Sequence, residues 1–208
     1  MLATQTVVSF FAASMLLALA PGPDNIFVLA QSVIYGRTAG LWITLGLCSG
    51  LIVHTTAVAF GVAAIIQASS VAFAVLKYAG AAYLIYLAWQ AFHAANASES
   101  SQGGSRPSHA MLYRRGIIMN VTNPKVSIFF LAFLPQFADP ARGSIFVQIF
   151  MLGGIFMLAA LLVFGCIACL AERVNRWLRR SACMERRLNR FAGVVFVGIA
   201  LKLALTQR

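Results

Sequence analysis

Leu19-Ala20-Pro21-Gly22-Pro23-Asp24-Asn25-Ile26 interrupts an otherwise apolar run that extends from Thr4 to Ser32. Two prolines and a glycine cannot lie in a smooth helix, because each proline removes a backbone donor and its ring clashes with the preceding turn. A bilayer crossing takes about 20 helical residues. The apolar pieces on either side, Val7–Ala20 and Ile26–Ile34, are each too short to cross alone. The sequence therefore predicts one crossing built from two half-helices, with Asp24 at the break.

A second interruption, Asn120-Val121-Thr122-Asn123-Pro124-Lys125, lies inside the apolar segment Gly116–Phe137. Asp24 and Lys125 are 101 positions apart, close to half of the 208-residue chain. Asp24 precedes Arg37 by thirteen residues, roughly 20 Å of helix, and Lys125 follows Arg115 by ten, roughly 15 Å. The hydrocarbon core is about 30 Å thick. Both charges therefore fall near mid-depth. A charge there costs about 2.5–3.5 kcal/mol on insertion scales, so Asp24 and Lys125 are expected to face the interior, to pair, or to line water.

Composition agrees with a lipid environment. The chain is 61% apolar and 10% charged, with a mean hydropathy of +0.84, against roughly 25% charged residues in soluble domains. Six apolar segments of spanning length follow one another: Thr4–Ser32, Thr38–Gln67, Val71–His93, Gly116–Phe137, Ser144–Leu170 and Leu188–Thr206. They are too long and too continuously apolar for barrel strands, so helices are expected. The Ser-, Gly- and Asn-rich stretch 94–113 reads as a solvated loop. It divides one transmembrane domain, residues 1–208, into two three-span repeats, about 1–93 and 114–208. An odd number of spans per half makes the second repeat inverted, and breaks at corresponding places in inverted repeats point to a transport site. The expected fold is all-α, with six transmembrane helices and breaks in the first and fourth.

The net charge of +11 does not imply nucleic acid. Seven arginines lie between Arg173 and Arg190, beside apolar segments, as expected for contact with anionic lipid. Within 172–190, Val174, Trp177, Leu178, Met184 and Leu188 roughly follow helical spacing. That spacing suits either an interfacial helix or a basic connection. Arg37, then Arg106, Arg114 and Arg115, then these seven place the odd-numbered connections in the cytoplasm and both termini outside. Val7–Ala20 imitates a signal peptide, but no Lys or Arg precedes it and Pro21 would follow the cut, so it reads as part of the first span. Cys166 and Cys169 form a C-x-x-C in an apolar segment and read as buried, inert thiols. Small residues in several helices permit a homodimer.

The residues at the breaks suit a zwitterion. Asp24 can accept from an ammonium group. Lys125 and the free N–H groups of half-helices beginning near Pro23 and Pro124 can hold a carboxylate. Asn25, Asn120 and Asn123 can orient either end, and a buried Asp24 can carry a proton. His54, deep in the second span, is either a proton relay or a packed, hydrogen-bonded histidine. Pro21, Gly22, Pro23 and Pro124 make the breaks. Glycines 46, 50 and 61 read as close helix contacts. Neither a cofactor nor a metal site is expected.

Several of these motifs together resemble the lysine exporter / homoserine–threonine resistance family of amino-acid exporters. They are Pro21-Gly22-Pro23-Asp24-Asn25, Gly36-Arg37-Thr38-Ala39-Gly40, Gly46…Gly50…His54 and Lys77-Tyr78-Ala79-Gly80-Ala81-Ala82-Tyr83-Leu84. Gly116, Asn120, Asn123-Pro124-Lys125 and Phe133-Leu134-Pro135-Gln136-Phe137 complete the set. The likeness covers essentially the whole chain. It implies a secondary carrier of the cytoplasmic membrane, not an enzyme, that exports basic or small neutral amino acids such as homoserine or threonine and is driven by the proton gradient. Two competing readings come from other classes. A membrane thiol-electron carrier would need cysteines at the breaks, which hold Asp24 and Lys125 instead. A divalent-metal exporter would need several converging ligands, and Asp24 is the acidic residue expected at mid-depth.

Overall fold

A computed structural model describes residues 2–68 and 107–171 continuously, together with scattered positions between 75 and 93 and between 173 and 204. Apart from those scattered positions, the third and sixth expected spans, most of the 94–113 loop and the 172–190 segment lie outside the described residues. Among the described residues the chain is helical with no strand, an all-α membrane protein.

The first half opens with α1 (Thr4–Leu19) and α2 (Pro23–Tyr35), bent by 59° at the break between them. Pro23 starts α2, and the extended Gly22 before it (φ −171°) sets the change of direction. After Gly36, which adopts φ +87°, a left-handed geometry that disfavours side chains, α3 runs from Arg37 to Ala68 without interruption. The second half repeats this order. A helix α4 (His109–Thr122) meets α5 (Pro124–Ile128) at a 52° bend, and α6 (Ile145–Cys169) is again unbroken. The expected boundaries of the second and fifth segments fall within one residue of α3 and α6.

α4 starts at His109, seven residues before the expected Gly116 and inside the stretch read as loop. Ser108 caps it, its hydroxyl accepting from the Met111 N–H at 3.3 Å, and His109 stacks on Trp42 with ring centroids 5.3 Å apart. Arg114 and Arg115 conceal this first turn from a hydropathy reading.

Beyond α5 the helix changes register. Phe129–Phe133 form a π turn and Leu134–Phe137 a 3₁₀ turn. Pro135 has no N–H to continue an α ladder, which accounts for the change at this point. The turn carries a run of rings. Phe129 and Phe133 are 4.7 Å apart by centroid, Phe133 and Phe137 5.0 Å, and Phe10 of α1 closes on Phe137 at 5.0 Å. Phe130 and Phe156 of α6 continue the cluster at 5.0 Å.

The helices pack through small residues rather than through hydrophobic contrast with lipid, as membrane bundles do. α3 crosses α4 backbone to backbone: a Cβ on Gly46 would strike the Tyr113 carbonyl, and one on Gly116 the Ile43 carbonyl. One turn on, Gly50 leaves the space filled by the Asn120 side chain. Gly46-x-x-x-Gly50 on α3 thus receives Gly116 and Asn120 on α4. α6 buries Gln148, Leu152, Phe156 and Ala160 and exposes Val147, Met151, Leu158 and Leu162. Apolar residues on both sides suit a helix between core and lipid. Cys166 and Cys169 lie on its exposed side, which corrects their reading as buried thiols; their three-residue spacing turns both away from the inward Ala168.

Gln148 is buried and clamps the loop before α6. Its amide N–H groups donate to the Asp139 and Gly143 carbonyls at 2.9 and 3.1 Å, and its Oε1 accepts from the Asp139 N–H at 3.0 Å. Gln148→Leu strands these groups, and each unsatisfied buried partner costs about 1–3 kcal/mol. The variant is expected to lose several degrees of thermal stability in detergent. A melting curve superimposed on the wild type would count against the clamp.

Candidate functional site

The two breaks meet in the interior. Asp24 occupies the first turn of α2 and is 1% exposed, while Lys125, in the first turn of α5, is 5% exposed. Asn120 and Asn123 are buried beside them. Asn120 reaches the site because Gly50 and the Gly46–Gly116 crossing let α4 lie directly on α3. Its amide Nδ2 donates to Asp24 Oδ2 at 3.5 Å, the long edge of hydrogen-bond range. Lys125, Asn123 and His54 also lie within electrostatic reach of that carboxylate. The six residues expected from sequence, Asp24, Asn25, His54, Asn120, Asn123 and Lys125, are therefore brought to one region.

Of the expected alternatives, the two charges face the interior without pairing. Asp24 and Lys125 do not form an ion pair within 4.0 Å; among the described residues the ion pair is Arg142–Asp139, at 3.2 Å in the loop before α6. The Lys125 ammonium instead donates to the backbone carbonyls of Ala20 at 3.0 Å and Leu17 at 3.4 Å. These carbonyls belong to the last turn of α1 and its C-cap residue, Ala20, where a helix leaves its acceptors without partners and carries partial negative charge. Asn25 Nδ2 donates to a third carbonyl there, that of Ala18, at 2.7 Å. Gly22 makes the contact possible, since a Cβ at that position would lie 2.7 Å from Lys125 Nζ.

The start of α5 is capped by Asn123, whose Oδ1 accepts from the Lys125 N–H at 3.0 Å. α2 has no side-chain cap. His54 Nε2 lies 3.1 Å from the Asn120 carbonyl. A carbonyl only accepts, so the ring nitrogen donates and the tautomer is fixed. The ring also packs on Phe130 with centroids 5.7 Å apart. His54 thus joins the site through Asn120 rather than touching Asp24 directly.

Four buried side-chain atoms at the breaks have no hydrogen-bond partner: Asp24 Oδ1, Asn25 Oδ1, Asn120 Oδ1 and Asn123 Nδ2. Buried polar atoms are nearly always satisfied, so these four call for a partner other than the described side chains, water and a bound molecule being the two candidates. A cavity of about 430 Å³ lies against the breaks, lined by Pro23, Phe27, Arg115, Met119, Asn123 and Pro124. A second cavity of similar volume lies at the other end, among Gln5, Ser9, Gln136, Asp139, Arg142 and Gln148. Phe133 and Phe137 also line it, and they pack with Phe10 and Phe129. Sequence reading quoted Phe133 and Phe137 as the ends of one motif but did not single out Phe10, Phe129 or Gln148. Phe10 and Phe129 carried no signal beyond hydrophobicity, and Gln148 was one polar residue in an apolar run.

The family model of the LysE type translocator matches residues 15–207. A homoserine/homoserine lactone efflux protein of Salmonella typhi is 33% identical over 196 residues, 94% of each chain. An uncharacterized membrane protein of Vibrio cholerae is 31% identical over 200 residues, 96% of each chain. One of Bacillus subtilis is 27% identical over 210 residues, covering 97% of this chain and 99% of its own. No solved structure matches. Full-length agreement with a family of transporters, on an all-α fold whose apolar helices suit a bilayer, makes this chain a multi-pass membrane transporter, not an enzyme, and a member of the LysE type translocator family.

Proposed function

We propose that this protein exports small amino acids bearing a free ammonium group, homoserine and its lactone first among them, across the cytoplasmic membrane and at the expense of the proton gradient. The observation that carries the reading is the set of unpartnered atoms at the breaks. Three of them, Asp24 Oδ1, Asn25 Oδ1 and Asn120 Oδ1, are acceptors, and one, Asn123 Nδ2, is a donor. A primary ammonium offers three N–H donors, and a carboxyl or lactone carbonyl offers an acceptor. The inventory is thus complementary to an amino acid or an amino lactone. The name borne by the Salmonella typhi relative supports that choice of substrate.

Asp24, a carboxyl at mid-depth, is the candidate proton carrier, with His54 the second titratable group in reach. The positions of Arg37, Arg114 and Arg115 support a cytoplasmic side at the α2–α3 and α4 ends. The cavity that Arg115 lines is then the cytoplasmic entry, and the Phe10–Phe129–Phe133–Phe137 group closes the outward path. The arginines of 172–190 support contact with anionic lipid on the same side.

Cells loaded with homoserine-containing dipeptides test this reading. Expression of the gene is expected to raise homoserine outflow several-fold, and an uncoupler is expected to abolish the increase. Equal outflow with and without the gene, across a panel of labelled amino acids, would refute it.

A further inference from the structure

The break holds two groups that seek a cation, and only one of them is occupied. The Leu17 and Ala20 carbonyls receive the Lys125 ammonium. The Asp24 carboxylate keeps a buried oxygen without a partner and makes no ion pair with that lysine. Lys125 is itself a primary alkylammonium, chemically equivalent to the amine end of an amino acid. It reaches the carbonyls across more than a hundred residues of sequence, through a gap that exists because residue 22 is glycine. Resting on the proposed amino-acid transport, we propose that the Leu17–Ala20 carbonyl pair completes, beside Asp24, the subsite for the substrate's ammonium group, and that Lys125 is a tethered occupant which fills the carbonyl part of it whenever the carrier is empty.

The physical reason is the cost of bare carbonyls away from water. A loaded carrier covers them with the substrate's N–H groups. An empty carrier would have to change conformation with two exposed acceptors at mid-membrane, unless an ammonium of its own takes the place. On substrate entry the incoming amine displaces Lys125, whose side chain is then free to meet the substrate's carboxyl or lactone oxygen. On release Lys125 returns, and the empty protein can reset. Lys125 is therefore needed for the return of the empty carrier more than for movement of the loaded one.

Net efflux and equilibrium exchange separate these steps. In proteoliposomes with labelled homoserine as probe, Lys125→Ala is expected to lower net efflux at least tenfold more than it lowers exchange, with homoserine on both sides. N-acetylhomoserine, which has no ammonium, is expected not to exchange. Gly22→Ala keeps the lysine but crowds its ammonium off the carbonyls. It is expected to shift the ratio of efflux to exchange in the same direction by about fivefold, and it carries the test if Lys125→Ala does not fold. A parallel fall in both fluxes for the variants, unchanged net efflux, or exchange of N-acetylhomoserine at the homoserine rate would overturn the subsite. Wild-type protein inert in both assays would instead overturn the amino-acid reading, and the subsite with it.

Discussion

Asp24→Asn is expected to abolish homoserine transport, by about a hundredfold, while leaving a folded protein. The carboxylate is buried at the start of α2, accepts one long hydrogen bond from Asn120 and keeps its other oxygen open. An asparagine has nearly the same shape, so the packing of α2 against α3 survives. What is lost is a charged acceptor for an ammonium. A hydrogen bond to a charged group contributes about 1.5–3 kcal/mol, and each 1.4 kcal/mol is tenfold in affinity, which sets the scale. Loss of the charge also removes the proposed proton carrier, so raising the substrate concentration is not expected to restore coupled export. Uptake assays and size-exclusion profiles on the same preparation separate the two effects. Transport at the wild-type rate would dismiss Asp24 from the site.

Gly46→Leu is expected to act on the fold rather than on the chemistry. The crossing of α3 and α4 is a backbone contact: a Cβ on Gly46 would stand 3.0 Å from the Gly116 Cα and would strike the Tyr113 carbonyl. Helices in lipid associate by such packing and not by hydrophobic burial, so separating them forfeits the contacts along the whole interface. Overpacking commonly costs 1–3 kcal/mol and occasionally more; a branched side chain between two backbones belongs at the upper end, about 3 kcal/mol. The variant is expected to give little monodisperse protein. Gly61→Leu on the same helix, where a Cβ would meet nothing within 4 Å, is expected to behave as wild type. Equal yields for the two variants would contradict the role of the crossing.

Much of this architecture was legible in the sequence because prolines and glycines constrain backbone regardless of context. Pro21-Gly22-Pro23 and Asn123-Pro124 announce the two bends, and long apolar runs give α3 and α6 nearly to the residue. The convergence of Asp24, Asn25, Asn120, Asn123 and Lys125 followed from the cost of polar groups at mid-depth. Other features depend on what lies across the bundle. Lys125 bonds to carbonyls of α1, and backbone acceptors have no sequence signature. An ion pair with Asp24 was one of the alternatives left open by two opposite charges at one depth, and the orphaned end of α1 receives the ammonium instead. The start of α4 was hidden because its first turns carry arginines, although Pro107-Ser108 is an N-terminal capping signal. Phe133 and Phe137 stood in a quoted motif, but Phe10, Phe129 and Phe130, which complete the aromatic group, were invisible, since one more phenylalanine in an apolar run has no distinguishing mark.

The central claim is that the two interrupted helices hold the substrate between them. A structure determined with homoserine bound tests it most directly. The account predicts ligand density between the α1–α2 and α4–α5 breaks, with the amine within hydrogen-bond distance of Asp24 or of the Leu17 and Ala20 carbonyls, and Lys125 displaced. Density confined to the cavity beside Asp139 and Arg142, with the breaks and Lys125 unchanged, would contradict it.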